Sequence, residues 1–371
     1  MTHVVESSVL AARVERARAR MGELGIDVLL LSVGADLPYL TGYEAMPLER
    51  LTMLVLPREG AATLVVPRLE APRVVEHPDV FAIAPWAETD DPVALVARLA
   101  AGCGTAAIGD RTWAQFLVLL LAAMPSTRFR RASEVTGVLR MRKDAAEIAA
   151  LAAAGAAADR VAAQLHEGEI PLVGRTEAQV SADISARLVS EGHDRVNFAI
   201  VAAGANAASP HHHPGDKVIQ RGEIVLCDFG GTMAGYCSDI TRCVSLGEPP
   251  AEVADAYAVL REAQQAAVAA AGLGVPCEEV DAVARRRIAA AGWGDNFIHR
   301  TGHGIGMEEH EDPYIVQGNA LPLQAGHAFS IEPGIYVPGR WGLRLEDIVV
   351  ATASGPLPLN HARHELVVVD A

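Results

Sequence analysis

Five side chains, far apart along the chain, share an unusual setting. Asp228 stands in VLCDFGG, Asp239 in YCSDITR, His303 in HRTGHGIG, Glu332 in SIEPGIY and Glu346 in RLEDIVV. Asp228 follows Ile224 and Leu226 at every second position, so on a strand it points the same way as two large apolar side chains. Glu332 lies among Phe329, Ile331, Ile335 and Tyr336, and Glu346 among Leu343, Leu345, Ile348 and Val349. An unpaired carboxylate in such surroundings is expensive to bury. If the four acids converge, each adjacent pair at about 4 Å repels by about 4 kcal/mol at an effective dielectric of roughly 20. Protonation relieves one or two of these charges, whereas two divalent cations neutralise all four. His303 adds a nitrogen ligand in a turn whose glycines, Gly302, Gly304 and Gly306, permit close approach. A mixed carboxylate and imidazole shell suits Mn²⁺, Co²⁺, Zn²⁺ or Fe²⁺ better than a thiolate-seeking ion.

Each residue also has a plainer explanation. A single acid in a strand is usually an ion-pair partner, and a single histidine is usually a satisfied structural group. For the set of five that account fails, because only Arg242, Arg300 and Arg344 are near in sequence, too few for the charge. Three further histidine positions stand out. The triplet His211-His212-His213 after Pro210 reads as a metal-binding tract or, preferably, as one functional imidazole with two exposed neighbours. His310 lies in MEEHEDPY. His299 precedes His303 by one helical turn, but the intervening glycine argues against a metal-binding HExxH helix, and His299 reads as a supporting or structural group.

The elements that must position these residues fall into two groups. Leu10, Val14, Ala17 and Met21 give an opening helix, capped by Ser7 or Ser8 and stopped by Gly22. Apolar runs at 27–32, 52–56, 62–66, 79–84 and 106–109 alternate with helices at 90–101, capped by Asp90, and at 112–123. That alternation predicts an α/β domain with both sheet faces covered. The segment from Met141 to about His166 predicts a long alanine-rich core helix. Helices at 176–191, 250–272 and 277–291 follow. They are interleaved with strands at 197–203, 223–229, 236–244, 328–337, 343–351 and 365–370. Short connections favour antiparallel pairing, giving an α+β second domain whose sheet is covered by helices. The division is placed at 1–138 and 139–371.

Length supports two domains, and a chain of 371 residues that is 50% hydrophobic can fill two cores. A formal charge of −15, dispersed along the chain, argues against a nucleic-acid partner. The five cysteines form no CxxC pair, which fits a reducing compartment. The opening MTHVVESSVL has no basic region leading into an apolar core, and the apolar run Phe116 to Met124 is too short to span a membrane. These features predict a cytoplasmic protein with no membrane partner.

The five motifs, DFGG, SDITR, HRTGHGIG, SIEPGIY and RLEDIVV, resemble those of the metallopeptidases that include prolidase, aminopeptidase P, methionine aminopeptidase and creatinase. The resemblance covers essentially the whole chain. It implies a creatinase-like N-terminal domain and a catalytic domain of the pita-bread fold. Asp228 would then chelate one metal and His303 with Glu332 the other, with Asp239 and Glu346 bridging. His211 and His310 match the family's two non-ligand histidines. The implied reaction is hydrolysis of the amide bond between an N-terminal residue and proline, in dipeptides or short peptides. Two metals, Mn²⁺ first among the four ions above, would activate a water, polarise the carbonyl and hold the substrate amine. Glu332 would move the proton, His211 and His310 would steady the oxyanion and orient the substrate, and Arg344 would anchor a carboxylate or Glu346.

One departure bears on substrate choice. Several dipeptidases of this family carry an arginine, associated with the free carboxylate of a dipeptide, where this chain has Tyr314. The implied function is therefore an Xaa-Pro dipeptidase, with three alternatives: an Xaa-Pro aminopeptidase on longer peptides, an amidohydrolase of another small compound, or a non-catalytic binding protein. Loss of ligands would mark the last, and none is lost. The resemblance also implies a homodimer in which one subunit's N-terminal domain walls the other's active site. Tyr39 to Tyr43 (YLTGY) is a candidate contributor, although a strand-end turn is the simpler reading.

Overall fold

Runs such as DVLLLS are apolar at consecutive positions, which suits a strand buried on both faces. In the computed structural model, which describes residues 5–369, that run forms β1 (Val28–Leu31), buried throughout. The chain divides into two compact units, Met1–Arg140 and Met141–Ala371. In the first, β1 is joined by β2 (Met53–Pro57), β3 (Ala62–Pro67), β4 (Phe81–Trp86), β5 (Thr105–Ile108) and β6 (Arg128–Arg131) in one mixed sheet of order β4-β3-β2-β1-β5-β6. Its helices are α1 (Ser7–Leu24), α2 (Asp36–Thr41), α3 (Pro92–Leu99), α4 (Ala114–Ala123) and α5 (Thr136–Met141). Val96 of α3 and Phe116 and Leu120 of α4 pack with Val28, Leu30, Val55 and Val65 of the sheet.

Local chemistry corrects several expected boundaries. Helix α1 runs through Gly22 and closes at Gly25, whose φ of 64° is the left-handed conformation glycine adopts freely. Its N-cap is Glu6, and Ser7 and Ser8 are already helical. Helix α3 is capped by Asp91, which accepts from the amides of Val93 and Ala94; Asp90 turns back to the amide of Ala87. Much of YLTGY lies in α2 rather than in a strand-end turn. Strand β6, RFRR, escaped prediction because it is an edge strand with charged side chains.

The second unit opens with α6 (Ala145–His166), begun by a capping box between Asp144 and Glu147, then α7 (Glu177–Ser190). The remaining elements are β7 (Arg195–Ala203), β8 (Ile224–Met233), β9 (Tyr236–Cys237), β10 (Ile240–Ser245), α8 (Ala251–Ala270), α9 (Cys277–Ala290), β11 (Gly302–Gly304), β12 (Glu311–Ile315), β13 (Ala328–Ile331), β14 (Gly334–Val337), β15 (Trp341–Arg344), β16 (Asp347–Thr352), β17 (Gly355–Pro358) and β18 (Val367–Val368). Strands β18-β10-β8-β7 form one sheet, with β9 paired to β8, and β12-β11-β13-β16-β17 form another; β14 and β15 pair as a ribbon. All pairings are antiparallel except β10 with β18. The expected last strand, 365–370, shrinks to β18; position 370 lies outside the described residues.

Alternation along β8 decides where the acids go. Val225, Cys227 and Phe229 pack with Val161 and Leu165 of α6 and Ile184 and Leu188 of α7. Ile224 and Leu226 join the opposite cluster, with Tyr257 and Leu260 of α8, Val280 of α9, and Phe329, Leu343 and Val349. Asp228 shares the parity of this second set. By length and composition alone α6 is apolar enough to cross a membrane, but Ala158, Val161, Ala162 and Leu165 bury one face of it against the sheet.

The sheet carrying His303 tolerates no bulk at its first position. A Cβ on Gly302 would lie 1.9 Å from the Ser330 carbonyl oxygen of β13. Gly302→Ala is predicted to cost at least about 1–3 kcal/mol, the usual range for overpacking. A urea midpoint equal to that of the unchanged protein would show that β11 and β13 do not approach this closely.

Candidate metal centre

Two glycines bring the first pair of acids together. After Asp228 the chain continues Phe229-Gly230-Gly231, and a Cβ on Gly230 would sit 2.1 Å from the Ser238 carbonyl oxygen. Only a bare backbone lets the return segment pass so near, and that segment delivers Asp239 beside Asp228. Ser238 itself is fixed from below, its hydroxyl accepting from the amide of Gly231 and bonded to His193. One residue pair further along, Thr241 of β10 faces Asp228 in register and also bridges to Glu346. That bridge draws the segment between β15 and β16 against the first sheet.

The second sheet supplies the other two groups. Ser330 and Glu332 stand two apart on and beyond β13, hence on one face. The Ser330 hydroxyl accepts from the backbone amide of His303 at 3.0 Å and donates to Oε1 of Glu332 at 3.0 Å. It thereby ties the imidazole's strand to the carboxylate. The Nδ1 of His303 lies 3.1 Å from the Gly304 carbonyl, which can only accept, so Nδ1 carries the proton. Its Nε2 is then a bare lone pair, 3.2 Å from Oε1 of Glu332 and 3.7 Å from Oδ2 of Asp239.

Three lone-pair atoms facing one another repel unless something positive lies between them. Ligand atoms of Asp239, His303 and Glu346 all fall within 4.8 Å of one another. Oδ1 of Asp228 and Oδ1 of Asp239 are buried without a hydrogen-bond donor among the described residues. Burial, and then the charges of Glu346, Asp228 and Glu332, hold the Asp239 carboxyl well above the usual range. Glu346 is pushed up likewise by burial and by Glu332 and Asp228. Burial raises Glu332 to about 7 against the opposing pull of Arg344. Burial also keeps His303 well below the ordinary histidine value, so its ring is neutral. A set of carboxylates that resists ionisation, beside a bare imidazole nitrogen and two orphaned oxygens, fits divalent cations.

Cationic side chains do not supply this charge. Arg242 is fully buried but pairs with Asp347, and its other bonds go to backbone carbonyls. Arg344 is the exception. The carboxylate it anchors is that of Asp228 rather than Glu346: it donates to Oδ2 of Asp228 at 2.5 Å, to Thr241 Oγ1 at 3.0 Å, to the Tyr336 hydroxyl at 2.9 Å and to the Pro210 carbonyl at 3.4 Å. Thr241 in turn donates to Oε2 of Glu346 at 2.6 Å. Arg344 is thus a buried brace on Asp228, with Thr241 passing its orientation to Glu346.

The remaining histidines take distinct places. The His310 ring meets the His303 ring edge to face, centroids 3.9 Å apart, and burial lowers its pKa. His211 is exposed on the loop after Pro210, close enough to depress both His310 and His299 electrostatically. His213 is exposed as expected, but His212 is not a bystander: its Nε2 lies 2.7 Å from Oε2 of the buried Glu177. His299 bonds to the Arg300 carbonyl and the Tyr336 hydroxyl, and burial, followed by Arg344, lowers its pKa to about 4. Tyr314 lies under the Arg300 guanidinium, 4.5 Å from its ring centre.

Thr241, Ser330 and Tyr336 were not singled out from sequence. A usable signal existed for two of them: Thr241 and Ser330 each stand two residues from an acid, on the same strand face. Tyr336 is positioned by folding alone.

Known proteins resemble the chain over almost its whole length. Residues 144–353 match the model of metallopeptidase family M24, and residues 13–142 match the creatinase/prolidase N-terminal domain. A probable dipeptidase PepE of Mycobacterium tuberculosis is 45% identical over 368 residues, 98% of each chain. The Xaa-Pro dipeptidase of Lactobacillus helveticus is 38% identical, covering 92% of this chain and 95% of that one. The crystal structure of dipeptidase PepE from Mycobacterium ulcerans superposes with a TM-score of 0.93 at 47% identity, covering 99% of this chain and all of that one. A prolidase from Thermococcus sibiricus gives 0.92 at 35% identity over 99% of this chain and 100% of its own. These neighbours share the pita-bread arrangement, and the family's chemistry calls for divalent metal. The chain belongs to metallopeptidase family M24, with a creatinase/prolidase N-terminal domain preceding its catalytic one.

Proposed function

We propose that the protein is an Xaa-Pro dipeptidase, hydrolysing the amide bond before proline in dipeptides. The observation that carries this reading is the meeting of four carboxylates and a bare imidazole nitrogen around a space with one guanidinium beside it. Asp228 would hold one ion and His303 with Glu332 the other, and Asp239 and Glu346 would face both. Divalent ions held there would supply Lewis acidity toward the scissile carbonyl and bring the pKa of an attacking water near neutrality.

The chain's own groups do the rest. Oε1 of Glu332 is held by Ser330, which leaves Oε2 to take a proton from the attacking water and release it to the leaving nitrogen. His310, neutral near pH 7, presents an N–H beside His303, and His211 presents another from its loop. Together they suit the developing oxyanion and the substrate carbonyl. Arg344 and Tyr336 act from behind, orienting Asp228.

Tyr314, where several dipeptidases of the family have arginine, favours a second reading, an aminopeptidase on longer peptides. Arg300 argues for the first. Its guanidinium is stacked on the Tyr314 ring and makes no ion pair within bonding distance among the described residues, yet its charge lowers the pKa of His303, His310 and Glu332. A half-buried, unpaired cation at this spot suits the free carboxylate of a dipeptide.

Mn²⁺ is the proposed resident ion, because hard oxygen ligands dominate the set. A cytoplasmic location is supported by the cysteines, all of them free. A homodimer is supported by the exposed apolar side chains Val118, Leu119 and Leu121 of α4, a face that a second copy would cover.

Three outcomes test the reading. Exhaustive chelation should abolish turnover and added Mn²⁺ or Co²⁺ should restore it; activity that survives chelation would end the metal assignment. Loss of a group that merely orients a ligand costs about 10–100-fold in affinity or activity. Asp239→Ala, which removes a ligand itself, should exceed that with an unchanged circular dichroism spectrum and reduced bound metal. Arg300→Ala should raise KM for Gly-Pro about tenfold or more, the value of a charge-assisted hydrogen bond, while leaving Gly-Pro-amide little changed. Equal effects on acid and amide would remove Arg300 from carboxylate recognition.

A further inference from the structure

Glu177 opens α7, where the capping box of Thr176 and Gln179 already satisfies the helix end. Its carboxylate is therefore not needed as a cap, and yet it is wholly buried. Oε1 accepts from the backbone amide of Ala203 at 2.8 Å and from Asn206 Nδ2 at 3.0 Å. Oε2 accepts from His212 Nε2 at 2.7 Å, with Asn206 Nδ2 at 3.2 Å and the amide of Gly215 at 3.5 Å. One side chain thus gathers the end of β7, the turn after it and the far side of the histidine loop.

Backbone bonds tie the same loop at its exit: Glu177 and Ala178 amides donate to the carbonyls of Lys217 and Gly215. At its front, the Pro210 carbonyl accepts from Arg344, the brace on Asp228. The turn also rests directly on β15, where a Cβ on Gly342 would meet the Ala207 carbonyl oxygen at 1.8 Å. Between these fixed points stands exposed His211, with His212 immediately beside it anchored on Glu177. Anchoring the His212 side chain holds the backbone from which His211 projects.

We infer that Glu177 and His212 form a clamp that positions His211 over the metal centre, Glu177 gripping the loop from beneath and His212 setting the outward direction of its neighbour. The inference rests on the reading of His211 as a group that touches substrate. Neither clamp residue reaches the reacting atoms; both act through His211.

Glu177 is buried and its replacement puts the fold at risk, so His212, whose side chain is 19% exposed, carries the test. Turnover is measured for His212→Ala, His212→Gln, His211→Ala and the double His211→Ala, His212→Ala variant, and hydrogen exchange is followed on the amides of 204–215. Misplacing a catalytic group by an ångström can cost on the order of a hundredfold, so His212→Ala should lower kcat about ten- to a hundredfold. KM should move less than about twofold, as befits a contact made mainly in the transition state. Metal content should not change, and exchange across 204–215 should quicken. His212→Gln keeps an N–H donor and should recover most of the rate. The double variant should be no slower than His211→Ala alone. Multiplying losses, or unaltered exchange in His212→Ala, would overturn the clamp. Full turnover in His211→Ala with quickened exchange in His212→Ala would instead overturn the role given to His211, a result that tells the two failures apart.

Discussion

A buried carboxylate is tolerable only when something positive answers it, and here four of them converge with the Arg344 guanidinium bonded to one. The rest of the catalytic unit is arranged to make this congestion possible. Asp228 faces the apolar cluster of Ile224 and Leu226 because strand parity puts it there. Gly230 lets Asp239 pass close by, and the bridge from Thr241 to Glu346 fastens one sheet to the segment carrying the last acid. Burial both raises the cost of the charges and strengthens every field they exert, which is what chemistry on a stable amide requires. A polypeptide that assembles such a site without cations would protonate it or unfold around it.

Arg344 illustrates how little a buried ion pair needs to add to stability in order to matter. Taking both charges out of water costs about as much as their attraction returns, so such a pair contributes chiefly geometry. The planar fork reaches Asp228, Thr241 and Tyr336 at once. Lysine, a point charge on a flexible stem, could satisfy one of these but not all three. Arg242 and Asp347 do the same work one step away, locking the backbone on either side of Glu346. Two arginines on neighbouring strands therefore serve different ends: one orients a ligand, and the other fixes the strand that follows the next ligand.

Much of this was legible in the sequence because it is written in short-range pattern. Alternating parity gave β8 and with it Asp228, glycine clusters marked the tight approaches, and an Ala-rich stretch gave α6; the expected strands 236–244, 328–337 and 343–351 are each broken instead, at Asp239, Glu332 and Glu346, where the backbone leaves the ladder to present the acid. What was not legible depended on partners far along the chain. Thr241 meets Glu346, Tyr336 meets His299 and Glu177 meets His212, and nothing local to any of these residues announces the meeting. Glu177 in particular reads as a first-turn acid of a well-capped helix. Its burial follows from how the 203–215 segment folds back across α7, a tertiary event. The misplaced ends of α1 and α3 have a different cause. Gly22 and Gly25, or Asp90 and Asp91, are equivalent in composition, and only backbone conformation decides between them.

Tyr314 shows the hazard of reading a site position by position. Taken alone, tyrosine in place of arginine looks like the loss of a carboxylate anchor. The physical demand, however, is for a cation near the end of the substrate, not for a particular address in the chain. Arg300 lies over the Tyr314 ring, whose face attracts a guanidinium. The aromatic side chain that displaces one arginine thus supplies the platform for another. On the proposed reading of Arg300, selectivity for a free carboxylate does not require the residue normally credited with it, because another guanidinium stands at the same ring.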